Sequence, residues 1–246
     1  TQAGYTTKQS TLTIGGTAVG NGLNAHPEFA PKVIRLIAEE TGIPFIETPN
    51  HFESQGACDA VVEASGTLKT IAVSLSKIAN DIRWLASGPR CGLGEINLPE
   101  LQPGSSIMPG KVNPVIPEAV TQVCAAVIGN DATITACGQG GYLELNLMLP
   151  LAAFKLLESI ELLTNAADVL AAKCVAGITA NEAKCTDYIK KSLAIVTNLV
   201  PHIGYDKAAK IAKTAYESGK NIEAVALEEN ILPEGELRQA LYGKTG

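Results

Sequence analysis

Aromatic residues make up only 4% of this 246-residue chain, with one tryptophan and two methionines. That is too few for the aromatic platform on which single-stranded nucleic acid stacks, and low for an antibody-like sandwich. Charge is sparse as well. Asp, Glu, Lys and Arg account for 18% of residues, and 19 basic against 25 acidic side chains leave a net charge of -6. Without a basic run there is no electrostatic footprint for DNA or RNA, so no nucleic-acid partner is expected. No stretch approaches the roughly 18 consecutive apolar residues of a membrane helix, so no membrane partner is expected either. The start, Thr1-Gln2-Ala3-Gly4-Tyr5, has no Met and no basic-then-apolar signal pattern, and reads as the inside of a longer chain. The six cysteines, Cys58, Cys91, Cys124, Cys137, Cys174 and Cys185, form no CxxC pair. None of the three histidines stands at zinc-ligand spacing. The expectation is thiols in a reducing compartment, with no metal and no organic cofactor.

What the chain does have is apolar and helical. Apolar residues are 46% of the sequence, and the length suits one large domain or a domain and a half. Such a chain buries a core without disulfides or metals. Phe29, Val33 and Ile37 set a helical period over 27–41, opened by Pro27 and Pro31 and stopped by Gly42. Residues 43–46, broken by Pro44, read as a brief strand or an extended link. Ala64, Leu68, Ile71, Leu75, Ile78, Ile82 and Leu85 then alternate spacings of four and three, the seam of a coiled coil. Gly66 interrupts this seam at a cost of about 1 kcal/mol without ending it. A second seam runs through Ala153, Leu156, Ile160, Leu163, Ala167, Leu170 and Cys174, with Pro150 near its start and Gly177 at its stop. Between the two, Val120, Val123 and Val127 mark a helix over 117–135. Three long apolar-faced helices must bundle with each other or with other subunits. The expected fold class is all-α: a long-helix bundle over 1–177 and a small helical C-terminal domain over 178–246. In the latter, Thr179-Ala180-Asn181-Glu182 reads as a capping box opening a helix of about five turns. Shorter helices are expected at 205–218, 221–229 and 233–242.

Three stretches offer chemistry. The first is the glycine-rich run 15–24, where Gly20-x-Gly22-x-x-Ala25 imitates a dinucleotide fingerprint. That fingerprint needs alternating strands and helices afterwards, and heptad helices follow instead. The run is either a flexible connector or a backbone loop that closes on a ligand with its N–H groups. The second stretch, PGSSIMPGKVNPVIPE at 103–118, lies between two bundle helices and is rich in Gly, Ser and Pro. As a phosphate loop it fails, because Gly104 and Gly110 are one residue too far apart and Val112 replaces Ser or Thr. It is either a plain surface loop or an anion site, in which Lys111 and Asn113 meet a carboxylate and Pro114 and Pro117 start a helix aimed at it. The third stretch, Cys137-Gly138-Gln139-Gly140-Gly141 with Glu144 and Asn146, either kinks a bundle helix or serves a site. His26, His51 and His202 each stand beside a turn signal and read as loop or cap residues.

Residues 104–114, GSSIMPGKVNP, resemble the signature of the fumarase/aspartase superfamily: Gly-Ser-Ser, Met-Pro, one residue, Lys, one residue, Asn. The stretches GGTAVGNGLNAHPEFAPKV at 15–33, SKIANDIRWLASGPRCGLGEI at 76–96 and PHIGYDKAAKIAK at 201–213 are similar to the class II fumarase branch, and the resemblance covers about 15–246. It implies an all-α fold whose long helices are shared among four subunits, a homotetramer. It also implies a dicarboxylate substrate, with reversible hydration of fumarate to malate. By the same resemblance Ser105 is the catalytic base. Ser106, Lys111 and Asn113 bind the substrate, and Glu118 is the carboxylate that orients a histidine. The implied compartment is the cytoplasm, or the mitochondrial matrix in a eukaryote.

That histidine belongs to a Thr-His pair in the family's N-terminal half, and this chain contains no Thr-His pair. The expectation is a C-terminal portion that is inactive alone. Asn21 stands where Thr is usual, and Val115-Ile116-Pro117 resemble aspartases and some fumarases. Aspartate ammonia-lyase is therefore the alternative reaction, and a catalytically inert helical oligomerisation module is the alternative role.

Overall fold

The computed structural model describes residues 10–102, 104, 107, 108 and 110–243. The chain divides into two compact units. One holds the residues up to Trp84 together with Leu98–Gly177; the other holds Leu85–Asn97 together with the residues from Ile178 on. The sequence offered a division at 177 alone, and the segment 85–97 joins the second unit for a reason visible in its pairing. Strand β3 (Ile96–Asn97) runs antiparallel to β6 (Thr179–Ala180), with Ile96 opposite Ala180 and Asn97 opposite Thr179.

The first unit opens with β1 (Thr11–Leu12), which pairs in parallel with β2 (Ile46–Glu47) around helix α1 (Phe29–Thr41). Gly42 ends α1 in the left-handed conformation at φ 69° and returns its N–H to Ala38 O. A short helix α2 (His51–Gly56), capped by Asn50 accepting from Glu53 N, was not foreseen from the sequence. Three long helices follow: α3 (Asp59–Leu85), α4 (Val115–Gly138) and α5 (Leu149–Lys173). Between α4 and α5 stands a tight hairpin, β4 (Gly141–Tyr142) with β5 (Leu145–Asn146).

The faces buried within this chain coincide with the heptad seams only in part. On α3 the buried positions are Ser65, Ala72, Ala79 and Ile82, whereas Ile71 and Ile78 of the seam remain 45% exposed each. On α5 the buried positions are Ala152, Ser159, Leu163, Ala166 and Leu170, and Ile160 stays exposed. Columns of Ala and Ser are buried inside the chain together with Ile82, Leu163 and Leu170. Of the larger seam residues, Ile71, Ile78 and Ile160 face outward, whereas Ile82, Leu163 and Leu170 are buried.

The second unit adds α6 (Glu182–Lys191), a 3-10 segment Leu193–Leu199, α7 (Val200–Ile203), α8 (Tyr205–Ser218), α9 (Ile222–Glu228) and α10 (Glu234–Tyr242). Its core is Ile195, Leu199, Ile211, Ala215, Ile222, Val225, Ala226, Leu237 and Leu241. The capping-box expectation is corrected here. Thr179 and Ala180 are taken by strand pairing, and Asn181 is the cap, accepting from Lys184 N at 3.3 Å. The helix that follows has 10 residues rather than about five turns, because the chain tightens into the 3-10 segment after Ser192.

Candidate active site

The signature stretch leads into the N-terminus of α4. Ser105 and Ser106 lie outside the described residues. Around them the chain crosses itself: a Cβ placed on Gly104 would lie 1.5 Å from Lys111 O and 2.3 Å from the Lys111 carbonyl carbon. Only glycine permits that approach. The crossing is held by the Asn113 side chain, whose Nδ2 donates to Gly104 O at 2.5 Å. The turn on the other side has Lys111 N donating to Met108 O at 3.3 Å, with Gly110 in the left-handed region at φ 77°.

Pro114 precedes α4, and Glu118 N donates to Pro114 O at 3.0 Å, so Glu118 sits in the first turn. Lys111 is exposed and makes no ion pair among the described residues, while Asn113 and Glu118 are half-buried. Of the five residues singled out from the sequence, Lys111, Asn113 and Glu118 are thus gathered on one short stretch at the positive end of a 24-residue helix. Such an end, with a lysine and an amide beside it, suits a carboxylate.

The other two stretches are tied into the scaffold of their own chain. The glycine run at 15–24 rests on α2 of its own chain. A Cβ on Gly16 would meet Gln55 Oε1 at 2.1 Å, and one on Gly20, at φ 87°, would meet Phe52 N at 2.7 Å. Gln55 Nε2 donates to Thr17 O at 3.1 Å, which ties the run down, so it is not a loose connector. His51 joins the same cluster, with Nδ1 3.2 Å from Thr13 O and Nε2 3.0 Å from Glu47 Oε1. The stretch 137–146 does not kink a helix but ends one. Asn146, 3% exposed, donates from Nδ2 to Cys137 O at 3.0 Å and accepts from Met148 N at 2.8 Å, closing α4 and opening α5 at once.

A polar group that the sequence reading missed lies in the middle of the bundle. Asp131 accepts from Ser65 Oγ at 2.8 Å and from Lys69 Nζ at 2.6 Å. Its neighbour Asn130 donates to Ser159 Oγ at 3.1 Å and to Glu158 Oε2 at 2.9 Å. The hydrogen bonds from Lys155 and Asn130 hold the Glu158 carboxyl below the usual carboxylate range. The available signal was two polar residues falling on the apolar period of α4. Burial pushes the thiols of Cys58, Cys124 and Cys174 up, which suits inert core thiols rather than nucleophiles.

Comparison with known proteins agrees with this architecture. The family model described as lyase matches residues 2–129, and the one described as fumarase C C-terminus matches 195–243. The chain is 54% identical over 226 residues to an aspartate ammonia-lyase of Helicobacter pylori, covering 92% of this chain and 48% of that protein. It is also 54% identical over 221 residues to a class II fumarate hydratase of Neisseria meningitidis, covering 90% and 48%. A mitochondrial fumarate hydratase of Rhizopus oryzae is 53% identical over 228 residues, covering 93% and 46%. Among solved structures, a fumarate lyase:delta crystallin from Brucella melitensis superposes with TM-score 0.91 at 46% identity, over 97% of this chain and 52% of that one. A class II fumarase from Schistosoma mansoni gives TM-score 0.86 at 36% identity, over 97% and 54%. The chain spans about half the length of the curated relatives it matches. The fold and these matches define a helical lyase chain. It belongs to the lyase family of the fumarase/aspartase superfamily.

Proposed function

We propose that this chain supplies the signature loop and bundle helices of an enzyme that reversibly adds water to fumarate, giving L-malate. The observation that carries the reading is the crossing of Gly104 over Lys111, with Asn113 bonded to Gly104 at the N-terminus of α4. In the dehydrating direction a base removes the proton beside one carboxylate. The electron pair spreads into that carboxylate and then expels hydroxide from the neighbouring carbon as the double bond forms. Lys111, Asn113 and the helix N-terminus stabilise the carboxylate while it carries the charge. Ser105 is the proposed base, Ser106 a substrate ligand and Glu118 the orienter of a histidine from outside this chain. A free serine hydroxyl is a poor base, and its alkoxide needs a cation and backbone N–H groups to favour it.

The proposal extends to assembly into a homotetramer through the long helices. It is supported by the outward-facing Ile71, Val73 and Ile78, and by an apolar groove of about 370 Å³ between α3 and α5, lined by Ala64, Leu68, Leu156 and Ile160 among others. No described helix is long and apolar enough to cross a membrane. The cytoplasm is the proposed compartment, and the mitochondrial relative adds the matrix for a eukaryotic source.

A second reading, elimination of ammonia from aspartate, is favoured by Val115-Ile116-Pro117 and by the Helicobacter pylori relative. Loss of fumarate absorbance in ammonium-free buffer tests both. Residues 1–246 alone are expected to be silent, and adding the N-terminal half of the Neisseria meningitidis relative, which this chain does not match, is expected to start the loss. Activity that appears only with ammonium would replace the hydratase by the ammonia-lyase. Binding to neither substrate, with assembly intact, would leave the inert module.

A further inference from the structure

The β4–β5 hairpin turns on two residues. Tyr142 pairs with Leu145, which leaves Leu143 and Glu144 to make the turn. Leu143 stands in the left-handed region at φ 55°, and Glu144 does not. A two-residue turn with positive φ at its first central position alone calls for glycine there. Leucine instead brings its Cβ against the following carbonyl oxygen. The same residue is 91% exposed, so no described part of its own chain covers it.

The hairpin cannot fold back to bury this tip. A Cβ on Gly56, at the end of α2, would lie 2.6 Å from Leu143 O, and one on Gly141 would lie 2.0 Å from Gly56 O. Asn146 holds the other arm through its bond to Cys137 O. The turn is therefore seated on α2 and α4 with its leucine held out. Backbone strain and exposed apolar surface coincide at one residue, and neither serves the single chain.

The surroundings of the tip say what covers it. Tyr142 and Leu147 are exposed on either side of the turn in sequence. Leu151, Phe154 and Leu157 then carry exposed apolar surface along α5, in steps of three, to Ile160 of the outward seam. From Tyr142 to Phe154 the only charged residue is Glu144. A face so depleted of charge suits a permanent contact between copies rather than a transient encounter. It is also continuous with the seam through which the copies are proposed to assemble.

We propose that Leu143 is an anchor for a second copy of this chain, its backbone strained so that an apolar side chain projects into the contact. The proposal rests on the assembly between copies proposed above, and it is independent of whether water or ammonia is the reactant.

The test reads the single chain and the assembly separately. Urea unfolding of residues 1–246 is followed at dilutions where the chain is monomeric, and sedimentation velocity is followed against concentration. Leu143→Asn puts in a residue that tolerates the left-handed region. It is expected to make the unfolding constant of the monomer severalfold smaller, and the dissociation constant of the assembly about tenfold larger or more. Leu143→Gly, which removes the side chain, is expected to weaken the assembly at least as much. Leu143→Met keeps an apolar side chain and is expected to leave both constants near those of the parent. A parent assembly that neither Leu143→Asn nor Leu143→Gly weakens would overturn the anchor alone. A parent that stays monomeric would overturn it together with the assembly, and would hand the tip to a different protein. A monomer destabilised by Leu143→Asn would overturn it too, because the leucine would then serve the fold of its own chain.

Discussion

The side-chain amide of Asn113 reaches back nine residues to the carbonyl of Gly104, 2.5 Å away, where the backbone of Gly104 passes beside the carbonyl of Lys111. One hydrogen bond and one missing Cβ therefore shape the stretch that carries the proposed substrate-binding lysine. Gly104→Ala cannot keep this crossing. Amide hydrogen exchange across 107–115 is expected to accelerate severalfold, as for the loss of a bond of about 1 kcal/mol. The urea midpoint of the chain should barely move. Unchanged exchange would show that the crossing does not hold the stretch.

Asn146 joins the two most extensively packed helices, α4 and α5, by a bond to each end. Asn146→Ala leaves Cys137 O without its buried donor and Met148 N without its acceptor. The expected loss is about 1–3 kcal/mol in urea unfolding, with no change in m. Asn146→Asp, which keeps the acceptor but sets a buried carboxylate against the Cys137 carbonyl, should recover none of it.

The packing columns and the outward seams should respond to different substitutions. Ala72 is fully buried, so Ala72→Leu is expected to cost about 1–3 kcal/mol by overpacking. Ile71→Glu with Ile78→Glu changes residues that are nearly half exposed in the single chain. These changes should leave helicity intact and shift the sedimentation coefficient towards monomer. A pair of glutamates that leaves the assembly unchanged would remove the seam from the proposed tetramer.

The second unit carries a pH signature. Burial, and then the bond to Glu223 at 3.0 Å, push the Tyr242 phenol from 10.0 up to about 12. A raised pKa means that the folded state holds the proton more tightly than the unfolded chain. The stabilisation is complete below about pH 10 and is lost as pH rises towards 12. Glu223 works in the opposite sense. Its bond to Arg238 at 2.8 Å holds its carboxyl below the usual range. That stabilisation is present above the unfolded carboxylate pKa and fades as pH falls through the folded one. Thermal unfolding followed against pH should show an alkaline decline that Tyr242→Phe abolishes, and an acid decline that Arg238→Met weakens.

Much of this protein could be read from residue order, because helix formation and the chemistry of a short contiguous motif are local. Gly42 and Gly219 stop helices where expected, since a left-handed residue ends a helix wherever it falls. Lys111, Asn113 and Glu118 are close in space because they are close in sequence. The tertiary structure alone decided which face of each helix is buried. The sequence shows large seams and small columns together, and only the packing of distant segments buries Ser65, Ala72 and Ala79 while Ile71 and Ile78 stay out. It alone showed that Thr179 pairs with Asn97, 82 residues away, instead of capping a helix. It alone turned Asn130 and Asp131 from two polar residues on an apolar helix into a bridge between its neighbours. Each of these outcomes depends on contacts between distant segments, which a reading by periodicity does not contain.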